Sequence, residues 1–490
     1  MARLPFGALS GTVAAFAFVE FTSGWLQGYY APMATDIARY LGIADADLNW
    51  LEGAQLMLSA LVVPLLARLG DLFGHRRMLL VSAAITAAAT LALPLAETFP
   101  VFLLAWALQG VYVVWLPLAI ALIWVRVRGR ADSSRITARA AGVLIVSLQA
   151  GALLGALLGG ALADMMPIRI VLLVPGLLVL ASCAVIHFGV GRAASASGGP
   201  VDLPGFGLLV FVLLPVLGGL SLLRVNGAAD PRPWVCIAAG AAAIVPFLLW
   251  ESRRENPFVD VRLFGRRALG PVFLCTALFG VSVLGAQVPL TTFVRSDPAL
   301  SGYGLGATGS SASIIIALYL ASMMIGAFAY SRRATRFSPS VLLPTAACLV
   351  ALGYLLLVPF HSGYGQVITS MMIAGAGSGA LLAALPALAV ERSPERGSGI
   401  TAGLSNSSKM LGGAAASAVF GLVLIHGTGA WAGPAGAASA GTADPAAHAA
   451  PLSGYIAVWV ICGCTALVAA VLLRSTVGRA PRRGAGSSTE

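Results

Sequence analysis

A chain of 490 residues that is 58% hydrophobic, only 10% charged and of mean hydropathy +0.90 has too little polar surface to fold as a water-soluble globule. Its apolar runs are continuous rather than alternating, which excludes a β-barrel and leaves a polytopic α-helical membrane protein. A net charge of +11 would point to nucleic acid in a soluble protein; here it follows from membrane topology.

A hydrocarbon core of ~30 Å is crossed by about 20 apolar residues. On that measure six helices are predicted first, near 11–33, 48–68, 78–97, 101–125, 137–163 and 169–190. The opening apolar run is too long for a secretory leader and carries Glu20, so it reads as an uncleaved first helix. A Gly/Ala/Ser/Pro-rich stretch, "GRAASASGGPVDLPG" (191–205), then leads to two helices near 205–224 and 233–251. A charged connection, "ESRRENPFVDVRLFGRRALG" (251–270), precedes the last six, near 269–294, 308–330, 340–359, 365–390, 400–426 and 453–473. The predicted organisation is a six-helix bundle over 1–190, a linker with two additional spans over 191–268, a second six-helix bundle over 269–475, and a disordered cytoplasmic tail over 476–490. Residues 427–454 form a low-complexity outer segment.

With both termini cytoplasmic, the arginines sort by loop. Twenty-four fall inside and five outside (Arg39, Arg169, Arg224, Arg232, Arg295), while Lys409, the single lysine, lies within a helix. The positive-inside rule predicts this asymmetry, and shifting the count by one helix would scramble it. The six cysteines form no CxxC pair and read as small buried hydrophobes. Five scattered histidines show no metal spacing and no nucleophile–base set, and the glycine-rich "GYGLGATG" and "GAGSG" follow no strand, so neither an enzyme nor a nucleotide site is expected. No cofactor or metal is expected.

One short connection is unusually polar. "GDLFGHRRMLL" (70–80) puts an acid, a histidine and two arginines between nearly uncharged helices. Gly70 and Gly74 would let two backbones pass closely, and Arg76 and Arg77 would hold the turn at the cytoplasmic face. Asp71 opposes no anchoring need and asks for another role. A fainter echo, "GAFAYSRRATRF" (326–337), occupies the corresponding loop of the second half, as an internal duplication would leave it.

These residues resemble the major facilitator superfamily. "RLGDLFGHRRMLL" is similar to its loop signature at Leu69, Asp71, Gly74, Arg76 and Arg77, with Ala67 replacing the first glycine. "GALLGALLGG" resembles the antiporter signature of helix 5 through Gly151, Gly155, Gly159 and Gly160, with Ala156 at the usual proline. "PFVDVRLF" (257–264) and "GLSNSSKMLGG" (403–413) resemble the fourteen-helix drug:proton antiporter branch. The resemblance implies two six-helix bundles plus two helices, alternating access, and export of drug- or antibiotic-type small molecules in exchange for protons. It also implies a multi-pass protein of a bacterial plasma membrane, with small molecules, protons and lipid as partners, no nucleic acid, and a monomer. In the family the acid matching Asp71 latches the halves together on the cytoplasmic side. Small residues every four positions on helix 5 also suit tight helix packing.

Ionisable groups within the membrane are functional candidates by default. Glu20 lies mid-helix, with Gly24, Gln27 and Ala31 continuing one stripe, and Glu52 shares a face with Gln55 and Ser59. Both acids are proton-coupling candidates, and solvation near the interface is an equal reading for Glu52. Candidate cavity residues are Trp25, Gln27, Gln55, Trp106, Gln109, Gln149 and Asn406. Trp25 and Trp106 could stack a flat lipophilic ligand or simply pack the core. Lys409, three residues beyond Asn406, reads as a side chain snorkelling to the interface. Two departures stand out: "SGWL" (23–26) lacks the helix 1 acid of the branch, and Trp106 occupies the place of its helix 4 arginine. Losing both strands no buried charge. A dedicated metabolite exporter or uncoupled facilitator is the alternative function.

Overall fold

A computed structural model describes residues 6–127, 133–191, 203–226, 230–254, 261–265, 269–333, 336–392, 398–426 and 450–477. The first group of helices comprises α1 (Phe6–Tyr29), the short α2 (Ala34–Leu41), α3 (Leu48–Phe73), α4 (His75–Ala92), α5 (Phe99–Gln109), α6 (Trp115–Val127), α7 (Ser133–Met165) and α8 (Ile168–Gly189). A pair follows, α9 (Leu203–Asn226) and α10 (Pro231–Arg253), then the one-turn α11 (Arg262–Gly265). The last group is α12 (Gly270–Gly280), α13 (Gln287–Arg295), the one-turn α14 (Pro298–Ser301), α15 (Gly309–Arg333), α16 (Pro339–Leu356), α17 (Tyr364–Glu391), α18 (Ser398–His426) and α19 (Leu452–Val477). Among the described residues the chain is all-helical, and twelve helical segments are long and apolar enough to cross a membrane. α1 and α9, each of 24 residues, stand beside them.

Two of the rods are interrupted. Gly110–Val114 tightens to a 3-10 helix between α5 and α6, and Val281–Gly285 widens to a π-helical turn between α12 and α13. Start signals are local: Pro231 and Pro339 open α10 and α16, where a missing N–H is no loss, and the Asp230 carboxylate accepts the Arg232 N–H. The polar connection expected between the second and third spans is a single residue. α3 continues to Phe73, α4 begins at His75, and Gly74 turns the chain at φ +96°, a conformation that disfavours any side chain. Gly70 therefore sits inside α3, where a Cβ would meet Leu118 of α6 at 2.8 Å.

Two large apolar cores form, one from residues 15–190 and the other centred on residues 269–473. A small cluster bridges them, in which Leu56 and Ala60 of α3 meet Met410 and Ala414 of α18. α9 and α10 pack on each other around Val212, Ala243 and Phe247, and α9 also reaches α3 and α18. Many large apolar side chains on the outside, Phe188, Val235 and Val471 among them, remain exposed, as helices solvated by lipid require.

Lipid tails are as apolar as leucine, so helices join here by close packing. α7 makes such contacts at four glycines. A Cβ on Gly151 would lie 2.0 Å from the Phe21 carbonyl oxygen, one on Gly159 2.1 Å from that of Tyr29, and Gly155 abuts Trp25. Gly24 and Gly28 of α1 return the contact against Leu148 and Ala152. Gly151→Ala should cost about 1–3 kcal/mol by overpacking and visibly lower the unfolding temperature in detergent. Gly142→Ala on the same helix, with nothing within 4 Å, should leave it unchanged.

Candidate functional site

Between the two cores lies an open cleft with a cavity volume of about 110 Å³. α1 contributes Gln27, Gly28 and Ala31, and α7 contributes Gln149 and Ala152. The π-helical turn and α13 supply Val283, Leu284, Gln287 and Thr291, while α15 to α18 supply Tyr319, Tyr354, Met371 and Lys409 among others. The lining is largely apolar, with a few amides and phenols and one lysine, and among the described residues it carries no acid. Gln149 sits mid-way along α7 and Lys409 in the middle third of α18. A smaller pocket adjoins it, where Asn406 and Lys409 meet Thr276, Ser405 and Pro386.

One end of the cleft is shut by contacts that cross between the bundles. Gly160 of α7 and Gly309 of α15 touch backbone to backbone, and the Ser313 hydroxyl donates to the Ala156 carbonyl at 2.7 Å. The Asp164 carboxylate accepts the Gly309 N–H at 2.9 Å, the Ser310 N–H at 2.8 Å and the Ser310 hydroxyl at 2.6 Å. It caps the first turn of α15 from the opposite bundle, where the helix dipole favours an anion. Arg295, at the end of α13, donates to the Asp36 carboxylate at 2.8 Å and to the Pro32 carbonyl at 3.2 Å. Burial is the largest influence on Asp36 and pushes its carboxyl up, while Arg295 and Arg39 draw it back.

The remaining predicted residues separate from the cleft. Trp25 is buried, stacked on Tyr29 and pressed against α7. Trp106 stacks on Phe102 and tilts against Tyr30 inside the first bundle. Gln109 is wholly buried beside it, donating to the Tyr30 hydroxyl at 2.8 Å and to Thr90 Oγ1 at 3.0 Å. Gln55 donates to Gln109 Oε1 at 3.4 Å, and the Ser59 hydroxyl lies 2.7 Å from the Gln55 carbonyl and 2.9 Å from that of Gly110. Glu52 is half-buried near Tyr112. Glu20 is fully buried, and among the described residues neither of its carboxyl oxygens has a hydrogen-bond partner. Of the stripe on α1, Gln27 and Ala31 line the cleft, whereas Gly24 faces α7.

The polar turn after α3 works within its own bundle. Arg76 donates to the Val190 and His187 carbonyls, satisfying the C-terminal end of α8, and Arg126 does the same at Gly191 while holding Thr12 Oγ1 at 2.7 Å. Arg77 is exposed, and the Asp71 side chain lies outside the described residues.

A profile of the Major Facilitator Superfamily matches residues 16–417. The chain belongs to this superfamily. It is similar to the tetracenomycin C resistance and export protein of Streptomyces glaucescens, 25% identical over 478 residues and covering 87% of this chain and 84% of that protein. It is also similar to the puromycin resistance protein pur8 of Streptomyces alboniger, 27% identical over 468 residues, with 92% and 89% covered. Among solved structures the nucleoside transporter NupG aligns with a TM-score of 0.64 at 11% identity, covering 95% of this chain and 99% of that one, a likeness of fold. The protein is a superfamily transporter rather than an enzyme, and a multi-pass membrane protein whose bacterial relatives include proteins named for antibiotic resistance and export.

In this superfamily member the polar interlock was not visible as a motif. Arg295 and Asp36 stand 259 positions apart, and Asp164 and Ser310 stand 146 apart. Their one signal is charge that topology leaves unexplained: Arg295 is among the five arginines that the expected topology puts outside. Asp164→Ala leaves three donors unanswered. With every native cysteine replaced, a Gln27→Cys probe in that background should react faster with an impermeant maleimide applied from the Asp164 side, by roughly five- to tenfold for a loss of about 1–1.4 kcal/mol. Unchanged labelling would mean that these contacts do not hold the end shut.

Proposed function

We propose that this transporter exports hydrophobic or amphipathic small molecules, of the drug or antibiotic type, by rocking two bundles about the mid-membrane cleft in exchange for protons. The observation that carries the reading is a largely apolar cleft between two separately cored bundles, bridged at one end by a few polar contacts. Relatives named for resistance to, or export of, natural antibiotics support the substrate class. The bundles correspond to residues 1–190 and 269–475, with α9 and α10 as additional spans, fourteen crossings in all and both termini cytoplasmic. On that topology the closed end faces outward and the cleft opens to the cytoplasm. The turn at Gly70–Arg77 then clasps the opposite end in the other half of the cycle, with Asp71 as the latch. The protein acts as a monomer.

Glu20 is the proton-coupling residue in this reading. An ionised carboxylate sealed from water and without a donor is costly, so its proton should come and go only when motion opens a path to solvent. Glu52 is the second candidate. Trp106, standing where the drug:proton antiporters carry an arginine, favours a second reading, a facilitator without proton coupling.

Transport into proteoliposomes of a dye and drug panel, with imposed pH or voltage gradients, separates the two. Glu20→Gln should abolish pH-gradient-driven movement while substrate counterflow and the elution profile of the folded protein persist. Normal coupling in that variant would remove Glu20 from the mechanism.

A further inference from the structure

Resting on the exporter reading, we infer that the cleft selects acidic amphiphiles, molecules with a flat apolar body and a carboxylate or comparably acidic group, and that Lys409 holds the acidic group. Lys409 is the only lysine among 490 residues and lines both the main cleft and the pocket beside it. It lies eleven residues into α18, about 16 Å along the helix from its start at 1.5 Å per residue. Its backbone carbonyl is pinned against Gly280 of α12.

Among the described residues no acid lines either cavity and no carboxylate pairs with Lys409, so they offer it no counter-charge. The two acids closest to membrane depth elsewhere, Glu20 and Glu52, belong to the first bundle and are not lining residues. A cation at mid-membrane is expensive, and one that faces a water-accessible cavity without a partner is set to meet an anion delivered from outside the protein. The amides of Gln27, Gln149 and Gln287 add donors and acceptors around the same space, and Tyr319, Tyr354 and Met371 supply a wall for a planar ring. The Gln287 amide donates to the Val283 carbonyl at 3.0 Å, so its oxygen side remains for a ligand's hydroxyl. The field of the cleft is positive, and it should reject quaternary or protonated amines.

Three pyrenes of matched ring and chain length test this: pyrenebutyrate, pyrenebutanol and pyrenebutyl-trimethylammonium. Full-length protein in nanodiscs is titrated by tryptophan-to-pyrene energy transfer, and the same protein in proteoliposomes is tested for counterflow. Pyrenebutyrate should bind at least ~10-fold more tightly than pyrenebutanol, from a charge-assisted hydrogen bond, and the ammonium compound most weakly. Lys409→Gln should erase the acid preference, bringing pyrenebutyrate to within about twofold of pyrenebutanol, and Lys409→Arg should retain it. A pyrenebutyrate affinity in Lys409→Gln within twofold of the parent, or tighter binding of the ammonium compound by the parent, overturns the assignment. Where pyrenebutanol still moves in either case, the exporter reading survives. If the parent moves none of the three, both the exporter reading and the acid preference fall.

Discussion

Backbone contact along α7 is the interaction on which the rest of the structure depends. Hydrocarbon gives helices no incentive to hide apolar side chains from it, so cohesion must come from atoms brought close enough for dispersion and weak polar contacts to accumulate. Gly151, Gly155 and Gly159 press α7 onto α1 within the first bundle. Gly160, one residue further, turns the same helix toward Gly309 and the second bundle. A single run of small residues thus has two duties: its inner part builds a rigid bundle, and its end makes the seam along which the two bundles meet.

That seam is chemically unlike the bundles it joins. Within each bundle the contacts are extensive and largely apolar, with Trp115, Phe102, Trp459 and Phe293 wholly buried. Across the closed end they are few and polar: a carboxylate on a helix start, an arginine on an aspartate, a serine on a carbonyl. Such contacts lose little when water replaces them, since each partner keeps a hydrogen bond. Rigid bodies joined by a wettable seam are what a rocking transporter needs. The Leu56–Ala60–Met410–Ala414 cluster is small enough to act as a fulcrum rather than a weld.

The sequence was most informative where one residue type has one meaning. Uncharged runs between arginine clusters gave the helices, and the four glycines of α7 gave a close-packed surface, although not its partners. Its reading of facing was weaker. Trp25, Trp106, Gln55 and Gln109 are polar or aromatic residues in helices apolar on nearly every side, and no 3.6-residue pattern says whether such a side chain turns to a cavity or to its own bundle. The structure puts all four outside the cleft lining, with Gln109 satisfied by Tyr30 and Thr90 instead. Lys409 shows the converse error: a lysine near a helix end invites the snorkelling explanation, and only the packing of α12 against α18 reveals that it faces the cleft. The π-helical turn at Val281–Gly285, which shapes the cleft wall, left only a pair of glycines as a trace.

The cap that Asp164 places on α15 has a consequence for how the molecule keeps time. α15 carries a cap of its own, the Thr308 hydroxyl, which accepts the Ser311 N–H at 3.2 Å. The amides of Gly309 and Ser310, by contrast, take their partner from the other bundle. In the proposed cycle a parting of the bundles hands these two amides to water while Thr308 keeps the turn formed. Exchange of their two protons with solvent would then be a clock that ticks with each opening.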